Sequence, residues 1–134
     1  MKLLSFSGRK IYHNVSIVPH NAILVNVKGV KNHDRACGIH GARFRHISTD
    51  YVDNNAQNVP FKEEDETNPQ SVYGLTKLQG ERKAFELCSQ TIVIRTSWVY
   101  SSFGNNFVKT MLKLGADRPQ LNVIFDQIGT PTYA

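Results

Sequence analysis

Hydrophobic positions along the chain alternate between helical spacing and short continuous runs, which predicts helices separated by strands. The stretch "NAILVNVKGVKNHDRACGIHG" predicts a first helix with Asn21 as its cap and Gly38 or Gly41 at its end. A second helix is predicted over about residues 71–88. A third is predicted in "NNFVKTMLKLG", where Gly115 is expected to end it.

The apolar runs between these helices predict buried strands. "ARFRHIS" predicts a short strand over 42–48, whereas "TIVIRTSW" and "LNVIFD" are β-branched and nearly continuous, as in strands covered on both faces. The polar segment 49–70, which holds Pro60 and Pro69, predicts a long loop. This order of elements favours an α/β fold with a parallel sheet and right-handed crossovers, and ligands at the carboxyl ends of the strands.

Composition agrees with one modest domain in 134 residues, of which 40% are hydrophobic and 20% charged. No apolar run approaches the roughly 20 residues of a membrane span, so neither a membrane segment nor a signal peptide is expected. Cys37 and Cys88 are isolated and lack metal-ligand spacing. We therefore expect a cytoplasmic protein with reduced thiols and no metal site.

The net charge of +5 is unevenly distributed. Residues 1–46 carry eight Lys/Arg and one acidic residue, a net charge of +7, whereas residues 47–134 carry a net charge of −2. The basic residues are scattered, without the clustering and interleaved aromatics that phosphate backbones require. A nucleic-acid partner is therefore not expected. Residues 1–20 show no sustained period, which sets them apart from the rest.

Tyr73 and Lys77 lie four residues apart in "SVYGLTKLQGE" and share one face of the second predicted helix. Such a pair is common on helix surfaces. It also has a chemical reading, because a nearby lysine cation lowers the pKa of about 10 that tyrosine has in water. A tyrosine tuned in this way protonates a developing alkoxide when hydride reaches a carbonyl carbon. Ser48 or Thr49, next to the end of a predicted strand, would supply the hydroxyl that orients that carbonyl.

Four motifs, "HISTDYV", "YGLTKLQGE", "IRTSWVYSSFGNNFVKTML" and "FDQIGTPTYA", occur in an order that resembles the dTDP-4-dehydrorhamnose reductases. These are extended short-chain dehydrogenases/reductases, and the resemblance covers about residues 22–134, leaving 1–21 unmatched. It implies a Rossmann-like doubly wound parallel sheet and reduction of dTDP-4-dehydro-L-rhamnose to dTDP-L-rhamnose by NADPH or NADH. It also implies a nucleotide-sugar substrate and, for full-length members, a homodimer.

The resemblance assigns roles by position. Tyr73 matches the proton donor, Lys77 the lysine that lowers its pKa, and Thr49 the hydroxyl that orients the keto group. It implies cofactor contacts from Tyr73, Lys77, Ser48 and Asn26, and sugar-nucleotide contacts from Thr49, Asp50, Tyr51 and Trp98. Each has a structural alternative: Trp98 as a core residue, Asn26 as a solvated helix residue, and Thr49 with Asp50 as a turn cap.

Several features depart from the reductase pattern. None of the nine glycines forms GxGxxG or GxxGxxG, the turn that holds a dinucleotide pyrophosphate. Arg45 lies in a predicted central strand, where an unpaired charge is costly to bury, and Asp34 lies at a helix position that is usually apolar or small. "DYVDNN" also lacks the phenylalanine and glycine of "DYVFDG".

We therefore expect a fragment of a reductase, with an incomplete sheet that lacks the first strands and the C-terminal substrate lobe. Such a sheet would expose apolar faces and be marginally stable. Two other functions stay open. One is a non-catalytic interaction or regulatory subunit on the same fold, whose partner binding would survive Tyr73→Phe. The other is a related sugar-nucleotide epimerase or dehydratase, which shares the Tyr-Lys pair but not the "TSWVY" pattern.

Overall fold

A computed structural model describes residues 3–4, 19–53, 59–124 and 126–134 of the chain. The chain divides into two compact units, Met1–Arg95 and Thr96–Ala134. The predicted long loop is described except for residues 54–58. Of residues 1–21, to which the resemblance did not extend, 1–2 and 5–18 lie outside the described part.

The described residues of the first unit form three strands and several helices. Its elements are β1 (Leu3–Leu4), α1 (Pro19–Ile23), a π-helical segment (Leu24–Gly29), α2 (Val30–His40), β2 (Arg43–Thr49), a 3₁₀ turn (Asp50–Val52), α3 (Val72–Leu87) and β3 (Thr91–Thr96). The strands form a sheet in the order β1-β2-β3, in which β1 runs parallel to β2 with Leu3 opposite Arg43. The prediction of an α/β fold with a parallel, incomplete sheet is confirmed.

The second unit contains β4 (Val99–Tyr100), α4 (Phe107–Asp117) and β5 (Thr132–Tyr133). β4 and β5 pair in parallel, so that Tyr100 lies opposite Tyr133 and their rings meet edge to face. The predicted strand "LNVIFD" is wrong. Its described residues, 121–124 and 126, are irregular, and Ile124 is exposed. The strands that pair in this unit are β4 and β5. A strand without a neighbour is unfavourable, because its backbone N–H and C=O groups bond only to water.

The start of the first long helix differs from the prediction, whereas its end falls at one of the two predicted glycines. The helix begins at Pro19, a residue suited to the first helical position because it has no N–H to satisfy, so Asn21 is not the cap. It ends before Gly41, which has a φ of 60° and donates its N–H to the carbonyls of Cys37 and Gly38. Glycine adopts this left-handed conformation without strain, and Gly41 rather than Gly38 is therefore the terminator.

The other two helices begin close to where the sequence predicts. α3 begins after Ser71, whose Oγ accepts a hydrogen bond of 3.0 Å from the backbone N–H of Gly74. α4 begins after Asn106, whose Oδ1 accepts one of 3.1 Å from Lys109. The predicted end of α4 at Gly115 is wrong, because the helix continues for two more residues to Asp117.

The helices cover one face of the sheet in the first unit. The core on that face comprises Val30, Cys37, Ala42, Phe44, Ala84 and Cys88. Residues alternate in β2, so Arg43, Arg45 and Ile47 point to the opposite face and are exposed. Ile92 and Ile94 of β3 are 45% and 42% exposed, and the prediction that this strand is covered on both faces is wrong for the chain. Arg45 is solvated on that face, so its expected burial cost does not arise.

Candidate functional site

Lys77 links α3 to the end of β2. Its Nζ donates a hydrogen bond of 2.6 Å to the backbone carbonyl oxygen of Ile47. The side chain is half-buried, and this burial lowers the pKa of Lys77 to about 8, although the Glu81 carboxylate acts in the opposite direction. The ammonium is therefore held at the carboxyl end of a strand, where ligands bind in parallel α/β sheets.

Tyr73 lies one turn before Lys77 on α3 and packs against the segment that follows β2. Its ring meets the ring of Tyr51 edge to face, with centroids 5.9 Å apart. Ile47 precedes Thr49 by two residues and Tyr51 follows it by two. The lysine and the tyrosine of α3 therefore contact the chain on either side of Thr49.

Thr49 is buried at the last position of β2, and its hydroxyl organises the turn that follows. Oγ1 donates a hydrogen bond of 3.0 Å to Oδ1 of Asp50 and accepts one of 3.3 Å from the N–H of Tyr51. Thr49 thus acts as a turn cap, the structural alternative to a substrate role. To donate to a keto oxygen, this hydroxyl has to release Asp50. Ser48, directly before it, is also buried.

Two glycines allow α3 to lie close to the segments that carry the other candidate residues. A Cβ atom on Gly74 would clash with the carbonyl oxygen of Tyr51, and one on Gly80 would clash with the carbonyl oxygen of Asn26. Both contacts are with backbone atoms, which have little freedom to move away. The glycines of "YGLTKLQGE" therefore set the distance between α3, the turn after β2 and the π-helical segment.

Asn26 is buried in the π-helical segment and contacts the helix of the tyrosine and lysine. Its Nδ2 donates a hydrogen bond of 3.0 Å to Oγ1 of Thr76, which donates in turn to the carbonyl oxygen of Tyr73 at 3.1 Å. Asn26 is therefore not a solvated helix residue. π-Helical turns within α-helices often occur at functional sites, where they redirect one side chain.

Trp98 lies in the second unit, after β3, and has a φ of 45°. A positive φ is rare for a bulky residue and costs about 1–3 kcal/mol, so it persists only where surrounding contacts impose it. Gly129 lies so close to the indole ring that a Cβ atom there would be 2.6 Å from Cε2, and the Thr132 N–H bonds the Trp98 carbonyl at 3.4 Å. The side chain is 52% exposed, so Trp98 is not a core residue of this unit.

A partly buried ion-pair network that we did not predict connects β3 to α3 and to Asp53 after the 3₁₀ turn. The Arg95 guanidinium donates from Nε and Nη2 to the two carboxylate oxygens of Glu81, at 3.2 and 2.8 Å. Its Nη1 bonds Oδ1 of Asp53 at 2.8 Å. These partners raise the pKa of Arg95, whereas burial raises that of Asp53 despite the neighbouring cation. An arginine that interrupts the apolar run "TIVIRTS" was the signal available in the sequence.

His46 is a second buried titratable group that sequence reasoning missed. It stacks on Phe44 within β2, and its Nε2 is buried without a hydrogen-bond partner among the described residues. Burial and, to a smaller extent, the Lys77 cation lower the pKa of His46 to about 4, against the opposing effect of Glu81. The imidazole is therefore neutral at pH 7.

The part of the chain that the structure describes contains no group of three or more His, Cys, Asp or Glu side chains arranged to hold a metal ion. Within the same residues, every helix is too short or too polar to cross a lipid bilayer.

Comparison with known proteins identifies the family. Residues 13–134 match the model of the RmlD substrate binding domain. The chain is 45% identical over 114 residues to a dTDP-4-dehydrorhamnose reductase of Aggregatibacter actinomycetemcomitans, covering 85% of this chain and 39% of that protein. The chain thus spans about two fifths of the length of such relatives.

Solved structures agree with the sequence match. A dTDP-4-dehydrorhamnose reductase from Clostridium acetobutylicum is similar with a TM-score of 0.84 and 44% identity, over 89% of this chain and 42% of that one. The enzyme of that name from Bacillus anthracis, solved in complex with NADP, has a TM-score of 0.85 and 39% identity over the same shares. By its sequence and by its fold, the chain belongs to the RmlD substrate binding domain family.

Proposed function

We propose that this chain carries the Thr-Tyr-Lys site of a dTDP-4-dehydrorhamnose reductase. The reaction is reduction of the 4-keto group of dTDP-4-dehydro-L-rhamnose to give dTDP-L-rhamnose, with NADPH or NADH as reductant. The names of the relatives support this activity, and one structural neighbour was solved in complex with NADP.

One observation supports the proposal above the others. Lys77 bonds the carbonyl of Ile47 and Tyr73 packs on Tyr51, so the two candidate residues of α3 contact the chain on both sides of Thr49. A Tyr-Lys pair exposed on a helix surface would not contact both a central strand and the turn that follows it. Thr49 itself accepts a hydrogen bond from the N–H of Tyr51, so the three candidate residues are connected through neighbouring stretches of the chain.

The protein groups have separate tasks in the proposed reaction. The Tyr73 hydroxyl gives its proton to the keto oxygen as the carbonyl carbon accepts hydride, and the Lys77 cation stabilises the phenolate that remains. Thr49 donates a hydrogen bond to the same oxygen after releasing Asp50. Asp50 and Tyr51 contact the sugar nucleotide in this proposal, and for Trp98, in the second unit, the same role rests on the sequence resemblance alone.

The residues present fit one part of a nicotinamide cofactor, which supplies the hydride when bound. Lys77, with its ammonium at the carboxyl end of β2, suits a ribose hydroxyl, and Tyr73, Ser48 and Asn26 complete the set we assign to that end. The cofactor pyrophosphate has no corresponding motif in the sequence. None of the nine glycines of the chain forms the glycine-rich turn that holds it in dinucleotide-binding folds.

Cofactor binding and turnover test the proposal on the purified chain. We expect the thermal unfolding midpoint to rise with saturating NADPH or NADH, because a ligand of the folded state stabilises it by mass action. We expect Tyr73→Phe to reduce NADPH-dependent reduction of dTDP-4-dehydrorhamnose by about 10²-fold or more, since it removes the proton donor and keeps the ring against Tyr51. Tyr133→Phe, at an exposed tyrosine of the second unit, is the matched control.

The outcomes separate the alternatives. A cooperative melt that neither nucleotide shifts would overturn the proposal and favour the non-catalytic interaction subunit. Turnover that survives Tyr73→Phe would show that the proton comes from elsewhere. Epimerisation or dehydration of the sugar nucleotide without net oxidation of NADPH would favour the related enzyme classes.

A further inference from the structure

Glu81 lies on α3 at the spacing from Lys77 that is typical of a helix-surface ion pair. The two residues are at i and i+4 on α3, a spacing at which a carboxylate and an ammonium meet on the helix surface. Lys77 nevertheless bonds a backbone carbonyl, that of Ile47, at 2.6 Å. Both carboxylate oxygens of Glu81 are taken by Arg95, at 3.2 and 2.8 Å.

The same helix shows what a lysine does when no arginine competes. Lys83 and Glu86 are at i and i+3 on α3, and the Lys83 ammonium bonds the two carboxylate oxygens of Glu86 at 2.9 and 2.7 Å. This pair is exposed, and among the described residues no arginine forms an ion pair with Glu86. The difference between the two lysines therefore correlates with the arginine on β3.

We propose that Arg95 is a positioning residue of the site: by occupying both oxygens of Glu81 and one of Asp53, it keeps Lys77 free to reach the end of β2. The inference rests on the proposed function, in which the Lys77 ammonium stabilises the phenolate of Tyr73. Arginine is suited to the task because its planar fork bonds a carboxylate at two points, whereas a lysine ammonium acts as a single compact charge.

Asp53 gives the network its second anchor. It follows the 3₁₀ turn that Thr49 caps, and its bond of 2.8 Å to Nη1 joins that turn to the guanidinium. Asp53 and Glu81 are almost fully buried, with side chains 7% and 4% exposed, and Arg95 is 24% exposed. Arg95 therefore connects the helix that carries Tyr73 and Lys77 to the turn that follows Thr49.

Removing Arg95 makes Glu81 available to Lys77. The charged and titratable groups that act on this region are His46 on β2, Asp50 and Asp53 after it, Lys77 and Glu81 on α3, and Arg95 on β3. In Arg95→Met, the Glu81 carboxylate loses its guanidinium partner and pairs with the ammonium. An opposite charge within about 4–6 Å raises the pKa of a lysine by about 1–3 units.

The test is an NMR titration of the Lys77 side chain in the purified chain, with Lys77→Met to assign the signal. We expect Arg95→Met to raise the pKa of Lys77 by about one unit or more. Adding Glu81→Gln to Arg95→Met should return the pKa to the wild-type value or below it. Glu86→Gln removes an exposed carboxylate from the same helix and should leave Lys77 unchanged.

Folding of the variants is controlled separately. Where Arg95→Met does not fold, Arg95→Lys keeps the positive charge but loses the two-point contact, and we expect a smaller rise. An unchanged Lys77 titration in a folded Arg95 variant would overturn the inference. The titration uses neither cofactor nor substrate, so a chain that shows the shift but no turnover contradicts the proposed function alone.

Discussion

The ammonium of Lys77 lies 2.6 Å from the carbonyl oxygen of Ile47, so a helix side chain completes the hydrogen bonding at the end of β2. This contact orients the ammonium, but it also holds a charged group in a half-buried position. Burial lowers the pKa of Lys77 to about 8. A cation buried in this way costs stability at neutral pH, and the cost is measurable.

Stability should therefore rise with pH above 8 through Lys77. The folded chain has a pKa of about 8 at this residue and the unfolded chain one near 10.5, so the unfolded state binds more protons between these values. We expect the free energy of unfolding of the wild type to gain about 2 kcal/mol relative to Lys77→Met between pH 7 and 9.5. Urea denaturation of both proteins across this range measures the gain, and a constant difference would contradict it.

His46 should produce a pH dependence at acidic pH. Its pKa is about 4 in the folded chain and about 6.5 when unfolded, so the unfolded state binds more protons in this interval and stability falls as the pH decreases. We expect the wild type to lose about 2 kcal/mol between pH 7.5 and 5 relative to His46→Leu. His40→Leu, which removes an exposed imidazole, is the control; a wild-type loss no larger than that of His46→Leu would refute the expectation.

The local pattern of the chain predicted most elements, because each depends on neighbouring residues. Ser71 predicted the start of α3. For the end of the first long helix the pattern indicated two candidates, Gly38 and Gly41, of which Gly41 has the positive φ. The strand predicted in "LNVIFD" failed for a different reason. A strand requires a partner, and an apolar run does not show whether one is present.

Charge burial could not be assigned from the sequence. Arg45 and Arg95 both interrupt apolar runs, and we expected the cost of burial at Arg45. The structure places Arg45 on the exposed face of β2, whereas Arg95 faces α3 and meets Glu81 and Asp53. The difference arises from strand register and from which face the helices cover. Both are set by contacts between residues far apart in sequence.

Replacing a glycine of α3 by alanine should change stability in the opposite direction to the usual one. Replacing glycine by alanine inside a helix normally stabilises it by up to about 1 kcal/mol. At Gly80, however, the new Cβ would clash with the carbonyl oxygen of Asn26, and overpacking of this kind costs about 1–3 kcal/mol. We expect Gly80→Ala to destabilise the chain and Gly115→Ala, which has open space around it in α4, to stabilise it. Chemical denaturation shows whether the free energy of unfolding falls in Gly80→Ala and rises in Gly115→Ala.

Gly74→Ala extends this comparison to the turn after Thr49. Its Cβ would clash with the Tyr51 carbonyl oxygen, and the side chain of Pro69 lies 3.1 Å away on another side. We expect a destabilisation of about 1–3 kcal/mol and a displacement of Tyr51, visible as a change in the NMR shifts of its ring. Gly74→Ala with stability equal to or above that of the wild type would show that the helix is free to move away from the turn.

The ion pairs of Arg95 and the ion pair of Lys83 should differ in their contribution to stability, because the carboxylates that Arg95 bonds are buried and Glu86 is exposed. Arg95→Leu leaves the carboxylates of Glu81 and Asp53 buried without their cation, which typically costs about 3–5 kcal/mol. Lys83→Leu removes one member of an exposed pair, and such pairs contribute about 0–1 kcal/mol. Both changes replace a cation by leucine, so the comparison isolates burial. Urea denaturation at pH 7 measures both losses, and similar values for the two variants would show that water reaches the Arg95 network.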